Sequence, residues 1–130
     1  YFFLPHRGEA RGIGGIFYDH LTDDLEAVDT FQRDLGNSIG DGYLPILERR
    51  IATPFTAQQE RWHLQRRGRY AEFILAIDRG TRFGLETGAR TESVLASLPP
   101  SVRWDTDAEP KLLTPEAELV DVLREPRAWL

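Results

Sequence analysis

The chain has no cysteine, which removes disulfide frameworks, thiolate metal sites and cysteine nucleophiles together. It has no methionine either, and it opens on the apolar stretch Tyr1-Phe2-Phe3-Leu4. Translation starts at Met and processing usually leaves a small residue behind, so these residues are read as the interior or distal part of a longer protein. Lysine occurs once, at Lys111, so nearly all of the 16 basic side chains are arginine. The longest unbroken apolar run, Phe73 to Ile77, is far too short to cross a membrane. A basic start followed by an apolar stretch and a small-residue cleavage site is also missing, and a bacterial cytosol is the expected compartment. What is present is 130 residues, 41% hydrophobic and 28% charged, the balance of a globular domain. A chain of that length buries roughly two-thirds of its unfolded surface, enough for one core without a staple. One domain, or part of one, is expected.

Charge is unevenly placed. From Arg49 to Arg69 the arginines at 49, 50, 61, 66, 67 and 69 face one acid, Glu60, within a chain whose net charge is −5. Codon usage alone produces an arginine bias. The guanidinium is nevertheless a planar donor fork that grips carboxylates and phosphates at two points, so the patch suits an anionic ligand. One short patch in an acidic chain argues poorly for nucleic acid.

The pattern along the chain predicts strands at residues 1–4, at Ile13 to Asp19 by alternation, at Arg69 to Asp78 and at Val102 to Asp105. The Arg69 to Asp78 run is the best strand signal: Ala71, Phe73, Leu75 and Ile77 share one face and Tyr70, Glu72, Ile74 and Ala76 the other. Thr22-Asp23-Asp24 caps a helix with Leu25, Val28, Phe31 and Leu35 as its stripe. Gly36, Gly40 and Gly42 interrupt it before a second helical stretch to Arg50. Thr56 and Gln59 form a capping box for a helix from Ala57 to Arg67, which Gly68 ends. Gly80, Gly84 and Gly88 punctuate a loop, Thr91 to Leu98 is a short helix, and Thr114-Pro115 starts a last helix with Leu119, Val122 and Leu123 inward. Such a mixture predicts an α+β fold, an antiparallel sheet covered by helices.

The most suggestive chemistry lies in His6-Arg7-Gly8-Glu9-Ala10-Arg11-Gly12-Ile13-Gly14-Gly15. Glycines let successive N–H groups turn toward one point, and flanking arginines complete an anion site; a structural turn explains the same glycines. Neither a phosphate loop nor a dinucleotide fingerprint is present. His6 is open to proton transfer, metal ligation or an interface. His20 and His63 have no partner at ligand spacing, which argues against a metal site built wholly from this chain. Asp19 either accepts from a ligand N–H or bonds loop amides. In Gly88-Ala89-Arg90 one arginine follows small residues, with Glu86 and Glu92 near enough to pair with it. Trp62, Trp104 and Trp129 read as core or interface residues.

The run from Tyr1 to Phe17 resembles the signature of the oxygen-dependent coproporphyrinogen III oxidase family. Gln65-Arg66-Arg67-Gly68-Arg69-Tyr70, Asp78-Arg79-Gly80-Thr81, Arg90-Thr91-Glu92-Ser93, Leu98-Pro99-Pro100 and Arg103-Trp104 follow in that family's order. The resemblance covers essentially the whole chain, as the C-terminal portion of a single oxidase domain. It implies an enzyme that converts two propionates of coproporphyrinogen III to vinyl groups, consuming oxygen and releasing carbon dioxide, to give protoporphyrinogen IX on the route to haem. It also implies a large antiparallel sheet flanked by helices, a homodimer, and no organic cofactor; a divalent metal is disputed. By the same resemblance, Gly88, Ala89 and Arg90 contact substrate, Ala89 standing where glycine is usual. Arg7, Arg11 and Asp19 are further substrate-binding candidates. His6 marks the dimer interface and the disputed metal, and the segment from Tyr70 to Trp104 belongs to dimerisation. His20 stands where an acid commonly follows Asp19, which weakens any role needing paired carboxylates. The family's proton-donor histidine does not map onto these residues, so no catalytic residue is assigned and the 130 residues alone are expected not to turn over. The rival reading is a non-catalytic tetrapyrrole-binding or dimerisation module.

Overall fold

A computed structural model describes residues 1–105, 114–125 and 127. The chain divides into two units, Ile16–Thr56 and a second made of Tyr1–Gly15 with Ala57–Leu130.

In the larger unit, strands β1 (Phe3–Leu4) and β2 (Glu9–Ala10) form an antiparallel hairpin in which Phe3 pairs with Ala10 and Leu4 with Glu9. Its turn closes where the Leu4 carbonyl accepts from the N–H groups of Arg7 and Gly8, each at 3.0 Å, with Gly8 at a φ of 65°. Helix α2 (Ala57–Glu72) follows and runs directly into a five-residue π-helical segment, Phe73–Ile77. Asp78 caps the next helix, α3 (Arg79–Glu86), by accepting from Thr81 N–H at 3.0 Å. A short α4 (Thr91–Val94) and a last helix α5 (Thr114–Arg124) complete the unit. Leu4, Phe73 and Ile74 form the buried centre, with Phe2, Tyr70, Ile77 and Leu98 packed around it. Helix α5 packs on β2 and buries Val120 and Leu123.

The fold is mostly helical, and the described residues form a two-stranded sheet rather than a large one. In the segment 69–78, residues 69–77 are helical, not a strand, and Asp78 is the cap of α3. The physical reason is that the segment's apolar residues satisfy two periods at once. Tyr70, Phe73, Ile74 and Ile77 are spaced i, i+3, i+4, i+7, and these are the residues the core takes, while Leu75, on the strand-like face, is 54% exposed. Gly68 does not end α2. It is a packing glycine: a Cβ there would sit 2.9 Å from the Arg103 carbonyl oxygen and 3.3 Å from Trp104 Nε1. Residues 102–105 lie along α2 without forming a strand, and Arg103 N–H donates to the Leu64 carbonyl at 3.1 Å. Gly80 and Gly84 likewise lie inside α3 rather than in a loop, and at Gly84 a Cβ would approach Val94 to 2.8 Å.

In the smaller unit, α1 (Leu25–Arg50) starts where expected, Asp24 accepting from Ala27 N–H at 3.1 Å. It continues unbroken through Gly36, Gly40, Gly42 and Pro45. Each glycine weakens a helix by about 1 kcal/mol without forbidding it, and none of these three takes a positive φ. Val28 and Leu35 are half-buried, and the Tyr18 ring meets Phe31 edge-on at 5.5 Å. The alternation from Ile13 to Asp19 makes no strand. Gly14 and Gly15, at φ of 103° and 101°, turn the chain out of extended geometry before an alternating face can pair. No described helix is long and apolar enough to cross a membrane. Lys111 and Trp129 lie outside the described residues.

Candidate functional site

Helix α2 presents Arg66, Arg69 and Glu72 at three-residue spacing, so their side chains stack along the side that meets the hairpin. The hairpin returns Glu9 to the first two. Arg66 Nη1 donates to Glu9 Oε1 at 2.7 Å and Arg69 Nε to the same oxygen at 3.2 Å. Arg66 Nη2 also reaches the carbonyls of Ala10 and Arg11, at 3.3 and 3.4 Å. Glu9 is buried, and a buried carboxylate is tolerable only with such donors.

Glu72 is the second hub. Arg7 grips it at two points, Nη2 to Oε1 at 2.7 Å and Nε to Oε2 at 3.0 Å. His6 Nε2 lies 2.7 Å from Oε2 and, facing an acceptor-only carboxylate, carries the hydrogen. Trp104 Nε1 donates to Oε1 at 2.9 Å, and Arg69 Nη1 to the same oxygen at 3.3 Å. Burial opposes ionisation here, but the hydrogen bonds from Arg7, His6 and Trp104 and the charge of Arg69 outweigh it and hold the pKa at about 2. A third acid, Asp105, accepts from Arg61 at 2.9 Å, from Arg103 and from Gln65. Its partial burial works against the charge, and these donors overcome it, keeping its pKa below the ordinary value.

The basic segment is thereby largely answered inside the fold. Arg61, Arg66 and Arg69 are engaged by acids brought from other segments, and Arg67 lies over the Tyr70 ring at 5.6 Å. Glu72 is the functional-looking residue that sequence reasoning passes over. Its signal is the three-residue spacing from Arg69, visible once the segment is read as helix.

The expected site residues fall in four places. Arg7, His6, Tyr70 and Trp104 gather around or beside Glu72 and the core. Arg11 rests among the rings of Phe2, Tyr70 and Phe73, its Cζ 4.5, 4.7 and 4.5 Å from their centroids. Asp19 is exposed in the smaller unit, where its Oδ1 accepts from His20 N–H at 3.1 Å.

Gly88, Ala89 and Arg90 form the tight turn between α3 and α4. Gly88 takes a φ of 73°, a left-handed angle glycine adopts without strain. Ala89 N–H donates to the Gly84 carbonyl at 2.9 Å, and the Arg90 carbonyl accepts from Ser93 and Val94 N–H at 2.9 and 3.1 Å. The backbone is thus fixed on both sides while the Arg90 side chain stays exposed, its Nε donating to Ser93 Oγ at 3.1 Å.

Around His6 the donors do not suit a divalent ion. Its carboxylate neighbour, Glu72, already carries two guanidinium partners, and no three His, Cys, Asp or Glu side chains come together among the described residues. An ion at His6 would need ligands from elsewhere.

The scaffold is mostly helical with a two-stranded hairpin, its arginines around the hairpin paired with Glu9 and Glu72 and Arg90 exposed on a glycine turn. The model of one family, coproporphyrinogen III oxidase, matches residues 1–129, and the chain belongs to that family. With it come an oxidoreductase class, a place in haem biosynthesis and coproporphyrinogen as the family's substrate.

Proposed function

We propose that these residues form the C-terminal portion of an oxygen-dependent coproporphyrinogen III oxidase and supply part of its substrate site and of its homodimer contact. The reaction turns two propionates into vinyl groups to give protoporphyrinogen IX. Each vinyl costs the propionate carbon dioxide and a hydrogen, and the two electrons released pass to oxygen. The electron-rich tetrapyrrole supplies that reactivity, so the protein's task is to hold carboxylates and orient the ring. Proton transfer belongs to a histidine that does not map onto these residues.

The observation that carries the substrate role is Arg90. Neither Glu86 nor Glu92 takes it: Glu86 is reached by Arg82 at 3.9 Å, and among the described residues Arg90 bonds to the neutral Ser93 hydroxyl alone. An exposed guanidinium on a backbone fixed by three hydrogen bonds is preorganised for a carboxylate. Arg90→Ala in the full-length enzyme should raise KM for coproporphyrinogen at least about tenfold, the scale of a lost charged hydrogen bond; unchanged kinetics would remove Arg90 from the site. For the dimer, the supporting feature is Trp104, 51% exposed yet held by Glu72 beside His6. Large aromatics fixed in this way are enriched at interfaces.

A further inference from the structure

We propose that Arg11 is a second carboxylate anchor of the substrate site, set where the glycine-rich loop opens an apolar groove that receives one propionate-bearing pyrrole edge of the tetrapyrrole. This rests on the substrate reading above and adds to it a place and a shape.

The arginines around the hairpin differ in what holds them. Arg7 is gripped by Glu72, and Arg66 and Arg69 by Glu9. Arg11 is held by three aromatic rings, and its guanidinium has no hydrogen bond and no acidic partner among the described residues. None of its nitrogens is sealed from solvent and left unsatisfied. Ring faces attract a cation more weakly than a carboxylate does and accept none of its five N–H donors in the plane of the fork. They fix the cation in place while leaving its hydrogen-bonding capacity for an anion from outside.

Beside it lies a groove of about 290 Å³ whose walls include Phe2, Phe3, Ile13, Gly15, Val122 and Leu123, with no charged side chain in its lining among the described residues. Gly15 joins the two features. It takes a φ of 101°, and a Cβ there would lie 2.9 Å from the Phe2 ring and 3.4 Å from Arg11 Nη2. Arg11 does not itself line the groove; its guanidinium lies next to Gly15, which does, and only glycine leaves room for both it and the ring. The volume is at the small end of ligand pockets, right for one substituted pyrrole and too small for a macrocycle. An apolar slot with a cation next to its Gly15 wall, unanswered among the described residues, matches a ligand that is flat, apolar and carboxylate-tipped.

The test is binding of coproporphyrin III, the non-reacting oxidised macrocycle, and of its tetramethyl ester to the full-length protein, followed by fluorescence quenching. Arg11→Met, which keeps the ring contacts and removes the charge, should weaken coproporphyrin binding at least about tenfold and leave the ester unaffected. Full affinity in Arg11→Met with a loss in Arg90→Ala overturns the Arg11 anchor and leaves the Arg90 reading standing. Full affinity in both variants overturns both. Should Arg11→Met fail to fold, hydrogen exchange on the wild-type protein decides: slowed exchange of the Gly12 to Gly15 amides with coproporphyrin supports the groove, and unchanged exchange there overturns it.

Discussion

Replacing Glu72 by Gln removes one negative charge while keeping nearly the same shape. In the folded chain Glu72 accepts from Arg7, His6, Trp104 and Arg69, and its pKa falls from 4.5 to about 2. Unscreened, that difference corresponds to about 3 kcal/mol. Solvent screens much of it, because His6 and Arg7 are 46% and 39% exposed even though Glu72 is 13% exposed, leaving about 1–2 kcal/mol. The sign follows from the direction of the shift. A carboxylate depressed in the folded state contributes stability that is fully present above its unfolded pKa of 4.5 and is lost as pH falls toward about 2. Urea unfolding of wild type and Glu72→Gln at a series of pH values is the assay, with the Trp104 indole N–H resonance as a local reporter. At pH 7 the variant should be less stable by about 1–2 kcal/mol, and the gap should close as pH falls from about 5 to about 2. A gap independent of pH, or none at pH 7, would refute the reasoning.

Gly68→Ala should destabilise by about 1–3 kcal/mol, although alanine is the better helix former, because the added methyl meets the Arg103 carbonyl; thermal unfolding measures the change, and a gain in stability would count against the close approach. Gly84→Ala should be destabilising for the analogous reason at Val94, and Val94→Ala should recover part of the loss, giving a coupling of about 1 kcal/mol in a double-mutant cycle. Phe73→Ala empties the centre of the larger unit and should cost about 3–5 kcal/mol, read by denaturant unfolding.

Some of this was legible in the residues and some was not. The starts of α1 and α2 were, because caps are local: Asp24 accepts from Ala27 N–H, and α2 opens at Ala57 as the capping box requires. The Gly88 turn was legible for the same reason. The segment 69–78 was not, since a run such as Phe73-Ile74-Leu75-Ala76-Ile77 fits alternation and helical spacing alike, and tertiary contact with Leu4 settles which faces are buried. Gly68 was misread because a glycine that ends a helix and one that admits a neighbouring chain are identical in sequence; the neighbour, Trp104, comes 36 residues later. Within the site, the arginines were visible as a class but their partners were not. Arg7 and Arg66 find acids across the fold, and the difference between those two and Arg90 or Arg11 is a property of three-dimensional pairing alone.

The central claim is that a propionate of the tetrapyrrole sits on the guanidinium carried by the Gly88 turn. A crystal structure of the full-length enzyme with coproporphyrin III bound tests it most directly. The account predicts a propionate oxygen at about 2.7–2.9 Å from the Arg90 guanidinium; a macrocycle bound with every carboxylate away from that turn would contradict it.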